Sequence, residues 1–206
     1  MNKNNFKILI TVVILTFLFL SQSYRNLLKT FDLKIIELIQ SLENKYLTVF
    51  YQMITNIADT YQSIVITVLF VIFLYTKKYK REALFLAITM SICGIAMPLL
   101  KNIFRRERPN FYRLIEINGY SFPSGHTTAA TTMYLTLAIL VLSNMKKLNK
   151  YFVFGIAELG IIIIGTSRIY LGVHYPTDVM AGICLGISIV SIVYSLYYNK
   201  SIEGVK

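Results

Sequence analysis

Six apolar blocks, each near the length at which a helix crosses a bilayer, constrain this 206-residue chain more than any other feature. They run Phe6–Ser21, Gln62–Thr76, Ala83–Leu100, Thr127–Ser143, Tyr151–Thr166 and Thr177–Tyr198. A bilayer core is crossed by roughly 20 apolar residues in helical form, and backbone groups inside lipid must be bonded within their own segment. The expected fold class is all-α: an integral membrane bundle of six transmembrane helices, forming one membrane-embedded domain over residues 1–206. A composition that is 55% hydrophobic, with positive mean hydropathy, excludes an ordinary soluble domain. No repeat, low-complexity tract or Gly/Ser linker divides the chain.

Lys and Arg in short loops mark the cytoplasmic side. Lys77-Lys78-Tyr79-Lys80-Arg81 and Lys146-Lys147-Leu148-Asn149-Lys150 are such loops, and parity puts Lys3, Lys7, Lys200 and Lys206 on the same face. Both termini are therefore expected in the cytoplasm of a bacterial plasma membrane. The outward loops carry Lys101, Arg105, Arg106, Arg108, Arg113 and Arg168 against the topology rule, which calls for another cause, and anion binding is one. The net charge of +11 is split between two membrane faces, so a nucleic-acid partner is excluded, while the cytoplasmic clusters suit lipid headgroups.

The first block also suits a cleavable signal peptide, with Lys3 and Lys7 ahead of it and Ser21-Gln22-Ser23 after it, although its length and flanks favour retention as a span. Cys93 and Cys184 both fall inside blocks, so neither a disulfide framework nor a metal cluster is indicated. Between the first two blocks lies the longest outward connection, Arg25 to Tyr61. There Leu28, Phe31, Ile35, Leu38, Ile39 and Leu42 recur at helical spacing, with Asp32, Lys34, Glu37, Gln40 and Glu43 assigned to the other face. The pattern predicts an amphipathic extracytoplasmic helix on the membrane surface, a rim that would guide a lipid headgroup; a packed connector would carry the same pattern.

Polar residues return in three islands, and the chain's two histidines both lie in them. The third island holds Ser167-Arg168, His174 and Asp178. Pro176 suits the first turn of a helix, which sets His174 just before that helix and Asp178 within its first turn. A carboxylate there can fix the imidazole tautomer and aim the other ring nitrogen outward, making His174 a candidate nucleophile. In the second island, Pro123-Ser124-Gly125-His126, Ser124 is a candidate N-cap and the free amides of a helix start suit a phosphate. Gly125 permits close backbone approach, and His126 is placed to protonate a leaving oxygen and later activate water. Lys101 and Arg108 of the first island, with Arg168, are fixed cations that stabilise a phosphoryl group in transit. Arg105 and Arg106 are read as merely snorkelling.

These residues stand as Lys-x6-Arg-Pro, Pro-Ser-Gly-His and Ser-Arg-x5-His-x3-Asp, which resemble all three signature motifs of the type 2 phosphatidic acid phosphatase family, whose core is similar to that of vanadium haloperoxidases. The match runs from Lys101 to Asp178 with no signature position departing. The resemblance implies a phosphohistidine on His174, orientation by Asp178, His126 as acid then base, and phosphate held by Lys101, Arg108, Ser124, Gly125 and Arg168. It implies neither metal nor other cofactor. Implied substrates are a lipid phosphate or diphosphate at the outer face: undecaprenyl diphosphate, phosphatidylglycerol phosphate or phosphatidic acid. Oligomeric state stays open.

A non-hydrolytic protein binding or transporting anionic lipids is the rival, although simple anion binding needs no oriented imidazole. A haloperoxidase suits a small membrane chain poorly. Glu158, midway along the fifth block, belongs to no motif, and an ionisable residue at that depth is a functional candidate by default.

Overall fold

The structure, a computed structural model, describes residues 25–203 except Phe111 and Lys146, and the side chains of those from 28 to 197. The block Phe6–Ser21 lies outside the described residues. Seven helices and no strand are found among them: α1 Arg25–Gln40, α2 Lys45–Ile57, α3 Thr60–Thr76, α4 Lys80–Phe104, α5 Gly125–Asn144, α6 Lys150–Tyr170 and α7 Pro176–Glu203.

Each described apolar block becomes one of the last five helices. Four of these, α4 to α7, are long and apolar enough to cross a membrane. The helices α2 and α3, bent by 52° at a short break, together make a fifth candidate span. The described residues thus account for at most five of the six expected spans. Apolar side chains such as Leu69 and Phe73 on α3, and Ile156 and Ile162 on α6, are exposed on the bundle's outside, where lipid rather than water is the fitting neighbour.

In lipid, helices associate through close packing and polar contacts more than through expulsion of water. The seam between α5 and α7 follows that rule. Thr127, Thr128 and Thr131 on α5 are fully buried, and Thr128 and Thr131 return their hydroxyls to carbonyls one turn back, at 2.8 Å each. Opposite them on α7 lie Gly182 and Gly186. A Cβ added at Gly186 would lie 2.6 Å from Thr131 Cβ, and one at Gly182 would lie 2.9 Å from the Ser124 carbonyl. The missing side chains let the two backbones meet. Phe85 and Leu86 from α4 pack with Met133, Leu140, Leu185 and Ile189 to complete this core.

The connector over 25–61 is two helices, and both pack into the bundle. Counted at 100° per residue, Asp32 shares a stripe with Leu28, Ile36 and Ile39, so its assignment to the outer face is corrected. Asp32 is fully buried beside Ile36, whereas Phe31, Leu38 and Leu42 are exposed. The reason is polar satisfaction: Asp32 accepts from the Thr177 amide at 3.0 Å and the Thr177 hydroxyl at 2.8 Å, at the start of α7. Gln40 Nε2 donates to the Tyr112 and Tyr170 carbonyls, and the Tyr170 hydroxyl meets Thr48 Oγ1 at 2.9 Å. These bonds clamp the α1–α2 turn to the end of α6.

Candidate functional site

Helices α4 and α6 end, and α5 and α7 begin, at one end of the bundle, opposite the two basic loops that join α3 to α4 and α5 to α6. Antiparallel succession brings the three sequence islands to that end. Lys101, Arg108, Gly125, His126, Arg168 and His174 line one cavity of about 1120 Å³. Ser124 and Asp178 stand just behind it, both fully buried. The Ser124 amide donates to the Asp178 carbonyl at 3.0 Å, which joins the second island to the third through the backbone.

His174 sits in the short turn between α6 and α7 and is almost fully buried. Its Nδ1 faces Asp178 Oδ2 at 3.4 Å, and the Tyr175 amide donates to the same oxygen at 2.9 Å. Its Nε2 lies 3.1 Å from Arg108 Nη1. A guanidinium can only donate, so Nε2 accepts and Nδ1 carries the proton toward Asp178. Burial first, then the cations Arg108, Arg168 and Lys101 and the neighbouring His126, hold the proton affinity of His174 well below the ordinary imidazole range. The imidazole is neutral near pH 7, with a lone pair on Nε2.

Arg108 is held by its loop as well as by the imidazole, donating to the carbonyls of Gly119 at 2.9 Å and Val173 at 2.8 Å. Arg168 is buried in the last turn of α6, and its Nη1 donates to Thr55 Oγ1 of α2 at 2.7 Å. Its Nε and Nη2 have no hydrogen-bond partner among the described residues. A buried guanidinium with two unmatched donors, lining a cavity with Lys101 and Arg108, fits an oxyanion of phosphate shape.

Ser124 occupies the N-cap position of α5, as its sequence position suggests, but its side chain makes no cap bond and meets Thr127 Oγ1 at 2.9 Å instead. The first amides of a helix have no partner within it, so the start of α5 points donors and the positive dipole end toward the cavity. A Cβ at Gly125 would stand 3.9 Å from Lys101 Nζ, which shows how near that ammonium comes to these amides.

Four residues near the site were missed in the sequence. Asp59 occupies the N-cap position of α3, a place where Asp is ordinarily a cap, yet it makes no cap bond. Its Oδ1 lies 2.6 Å from His126 Nε2, at ion-pair distance but off hydrogen-bond alignment. Thr55 supplies the contact to Arg168. Arg106, read as snorkelling, instead donates to Asp178 Oδ1 at 2.7 Å and Asp32 Oδ2 at 2.8 Å and lies 4.1 Å from the Tyr175 ring centre. Asp32 completes that pair. Its stripe position was a signal available beforehand; the folding of Asp59 onto His126 left none. Glu158 lies on the exposed face of α6, away from the cavity. Among the described residues, no three His, Cys, Asp or Glu side chains cluster as ligands of a metal ion would.

Fold and site together define a membrane-embedded helical bundle with a cationic pocket lined by two imidazoles. Residues 82–202 match the family model of the PAP2 superfamily, and the chain belongs to that family. It is an integral membrane protein. Phosphatidylglycerophosphatase B of Bacillus subtilis (strain 168) is 33% identical over 117 residues, which are 56% of this chain and 57% of that protein. Lipid A 4'-phosphatase of Porphyromonas gingivalis is 31% identical over 154 residues, 67% of this chain and 62% of the relative. The chain thus spans less than two thirds of either relative's length. The crystal structure of a transmembrane PAP2-type phosphatidylglycerolphosphate phosphatase from Bacillus subtilis shares the fold, with a TM-score of 0.84 at 23% identity over 97% of each chain.

Proposed function

We propose that this protein hydrolyses a phosphate monoester or diphosphate carried by a membrane lipid, at the outer face of the membrane, through a phosphohistidine and without a metal. The buried Arg168 donors beside His174, without a partner among the described residues, carry the reading, because they suit an anion placed against an oriented imidazole. The tetrahedral group would take Lys101, Arg108, Arg168 and the first amides of α5. His174 Nε2 would attack phosphorus as the bond to the leaving oxygen breaks, and His126 would protonate that oxygen. Water would then attack the phosphohistidine, passing its proton to His126, and inorganic phosphate would leave.

Apolar side chains extend the cavity between α3 and α4, where Ile64, Val68, Val71 and Met90 line it. That wall suits a lipid chain entering from the bilayer. The relatives' names make phosphatidylglycerol phosphate the first substrate to test, with phosphatidic acid and undecaprenyl diphosphate beside it. The test is phosphate release from these three lipids by the purified protein in detergent containing a chelator, comparing kcat/KM. Release that vanishes in His174→Ala supports the reading. Binding of all three lipids with no phosphate released would favour the binding or transport alternative, and activity surviving His174→Ala would remove the nucleophile assignment.

A further inference from the structure

The carboxylate that faces His174 is itself held by a relay that no signature residue explains. Asp178 is fully buried and uses both oxygens: Oδ2 toward His174 and the Tyr175 amide, Oδ1 toward Arg106 Nη1 at 2.7 Å. The same Nη1 reaches Thr177 Oγ1 at 2.8 Å, while Nη2 takes Asp32 Oδ2 at 2.8 Å. Asp32, also fully buried, accepts from the Thr177 amide at 3.0 Å and so caps the first turn of α7 from a helix 145 residues away. The Tyr175 ring covers the guanidinium on one side. One planar cation thus separates two buried carboxylates and bonds each through a different nitrogen, which the single nitrogen of an ammonium cannot reproduce.

We propose that Arg106 and Asp32 are positioning residues for the nucleophile. Arg106 fixes the rotamer and charge of Asp178, Asp32 fixes Arg106 and the start of α7, and helix α1 thereby becomes part of the reaction centre. Neither residue lines the cavity, so neither is placed to touch substrate. A buried carboxylate that lost its guanidinium would turn toward other donors and release the imidazole from its tautomer and angle. The groups facing His174 are Asp178 on α7, Arg108 from the preceding loop, Arg168 on α6, Lys101 on α4 and His126 on α5. Removing Arg106 leaves all five present and takes away the charge behind Asp178 together with the bonds to Asp32 and Thr177.

The inference rests on the proposed phosphatase activity, so its test has an arm that needs no turnover. Full-length protein in detergent is compared with Arg106→Gln, Arg106→Lys, Asp32→Asn and the Asp32→Asn/Arg106→Gln double variant, each checked for folding by thermal unfolding. With phosphatidylglycerol phosphate, Arg106→Gln is expected to lower kcat about 10- to 100-fold, with KM changed less than about threefold. Arg106→Lys should recover part of the loss, and the double variant should be no worse than Arg106→Gln within about twofold, since both act through one carboxylate. In parallel, nitrogen-15 NMR titration of His174, distinguished from His126 by a His126→Gln control, should shift by about half a unit or more in Arg106→Gln. Folded Arg106→Gln and Asp32→Asn with unchanged kcat would overturn the proposal. So would a loss confined to KM, or a loss that tracks the folded fraction with the His174 titration unmoved. If the unaltered protein releases no phosphate, the function proposed above fails, and the titration alone decides this one.

Discussion

Arg108 Nη1 and His174 Nε2 stand 3.1 Å apart, so the guanidinium points a donor at the lone pair that would attack phosphorus. An arriving phosphate offers Arg108 a stronger acceptor than a neutral imidazole, which would draw the guanidinium onto the phosphoryl oxygens and free Nε2. On the proposed mechanism Arg108 would then serve both as guard of the nucleophile and as clamp on the substrate. Arg108→Gln is expected to lower kcat/KM about 100-fold or more. His174→Gln is expected to remove turnover by at least about 1000-fold while still binding orthovanadate, measured as a shift in unfolding midpoint. Turnover in Arg108→Gln equal to that of the unaltered protein would remove the clamp.

The lowered proton affinity of His174 has a stability consequence whose sign is fixed by linkage. The unfolded chain protonates this imidazole near pH 6.5, whereas the folded protein does so only at lower pH. Between those values the unfolded state holds more protons, so the contribution is full above about pH 6.5 and is lost as pH falls. Thermal midpoints of the unaltered protein and His174→Gln, compared from pH 7.5 to 5, should show the unaltered protein losing more. Parallel curves would contradict the neutral, buried state.

Gly125 offers a test of anion binding at the start of α5. An added methyl would meet Met97 Cε at 3.7 Å and Lys101 Nζ at 3.9 Å, which are ordinary contacts, so Gly125→Ala should fold. The methyl would still intrude where, on the proposed mechanism, a phosphate would approach the amides. The expected result is an unchanged unfolding midpoint with kcat/KM lowered about tenfold or more. A fully active Gly125→Ala would mean the phosphate lies elsewhere.

Asp59 lies 2.6 Å from His126 Nε2 and so bears on the acid and base steps assigned to that ring. Asp59→Asn keeps the shape but removes the charge, and kcat is expected to fall about tenfold with KM nearly constant. Equal kcat values in Asp59→Asn and the unaltered protein would leave Asp59 as a helix-start residue only.

The α5–α7 seam sets the distance between the two histidine islands. Gly186→Ala would place a methyl 2.6 Å from Thr131 Cβ, and neither backbone can yield freely. A loss of about 1–3 kcal/mol is expected from overpacking, read as a lower unfolding midpoint, together with reduced turnover as the helices part. A neutral effect on both would show that the seam is slack.

Sequence periodicity and motif order made much of this legible. Runs of apolar residues define helices because lipid offers a backbone no other partner, and so the five described blocks appear as α3 to α7. The three islands are local patterns whose spacing survives in one dimension, and the family follows from them. The connector shows where this stops. Its helical stripe is visible in one dimension, but residue type alone points Asp32 outward, because its partners Thr177 and Arg106 lie 145 and 74 residues away.

What the sequence by itself determined, then, is the membrane environment, the helical class and the family, together with the residues that meet around one cationic cavity. The tertiary structure alone decided that Arg106 bonds to Asp178 and Asp32 rather than snorkelling, that Asp59 leaves its cap for His126, and that the 25–61 segment packs against the bundle. The physical reason is that hydropathy acts on each segment separately, while a buried charge is satisfied only by partners that the fold brings from elsewhere in the chain.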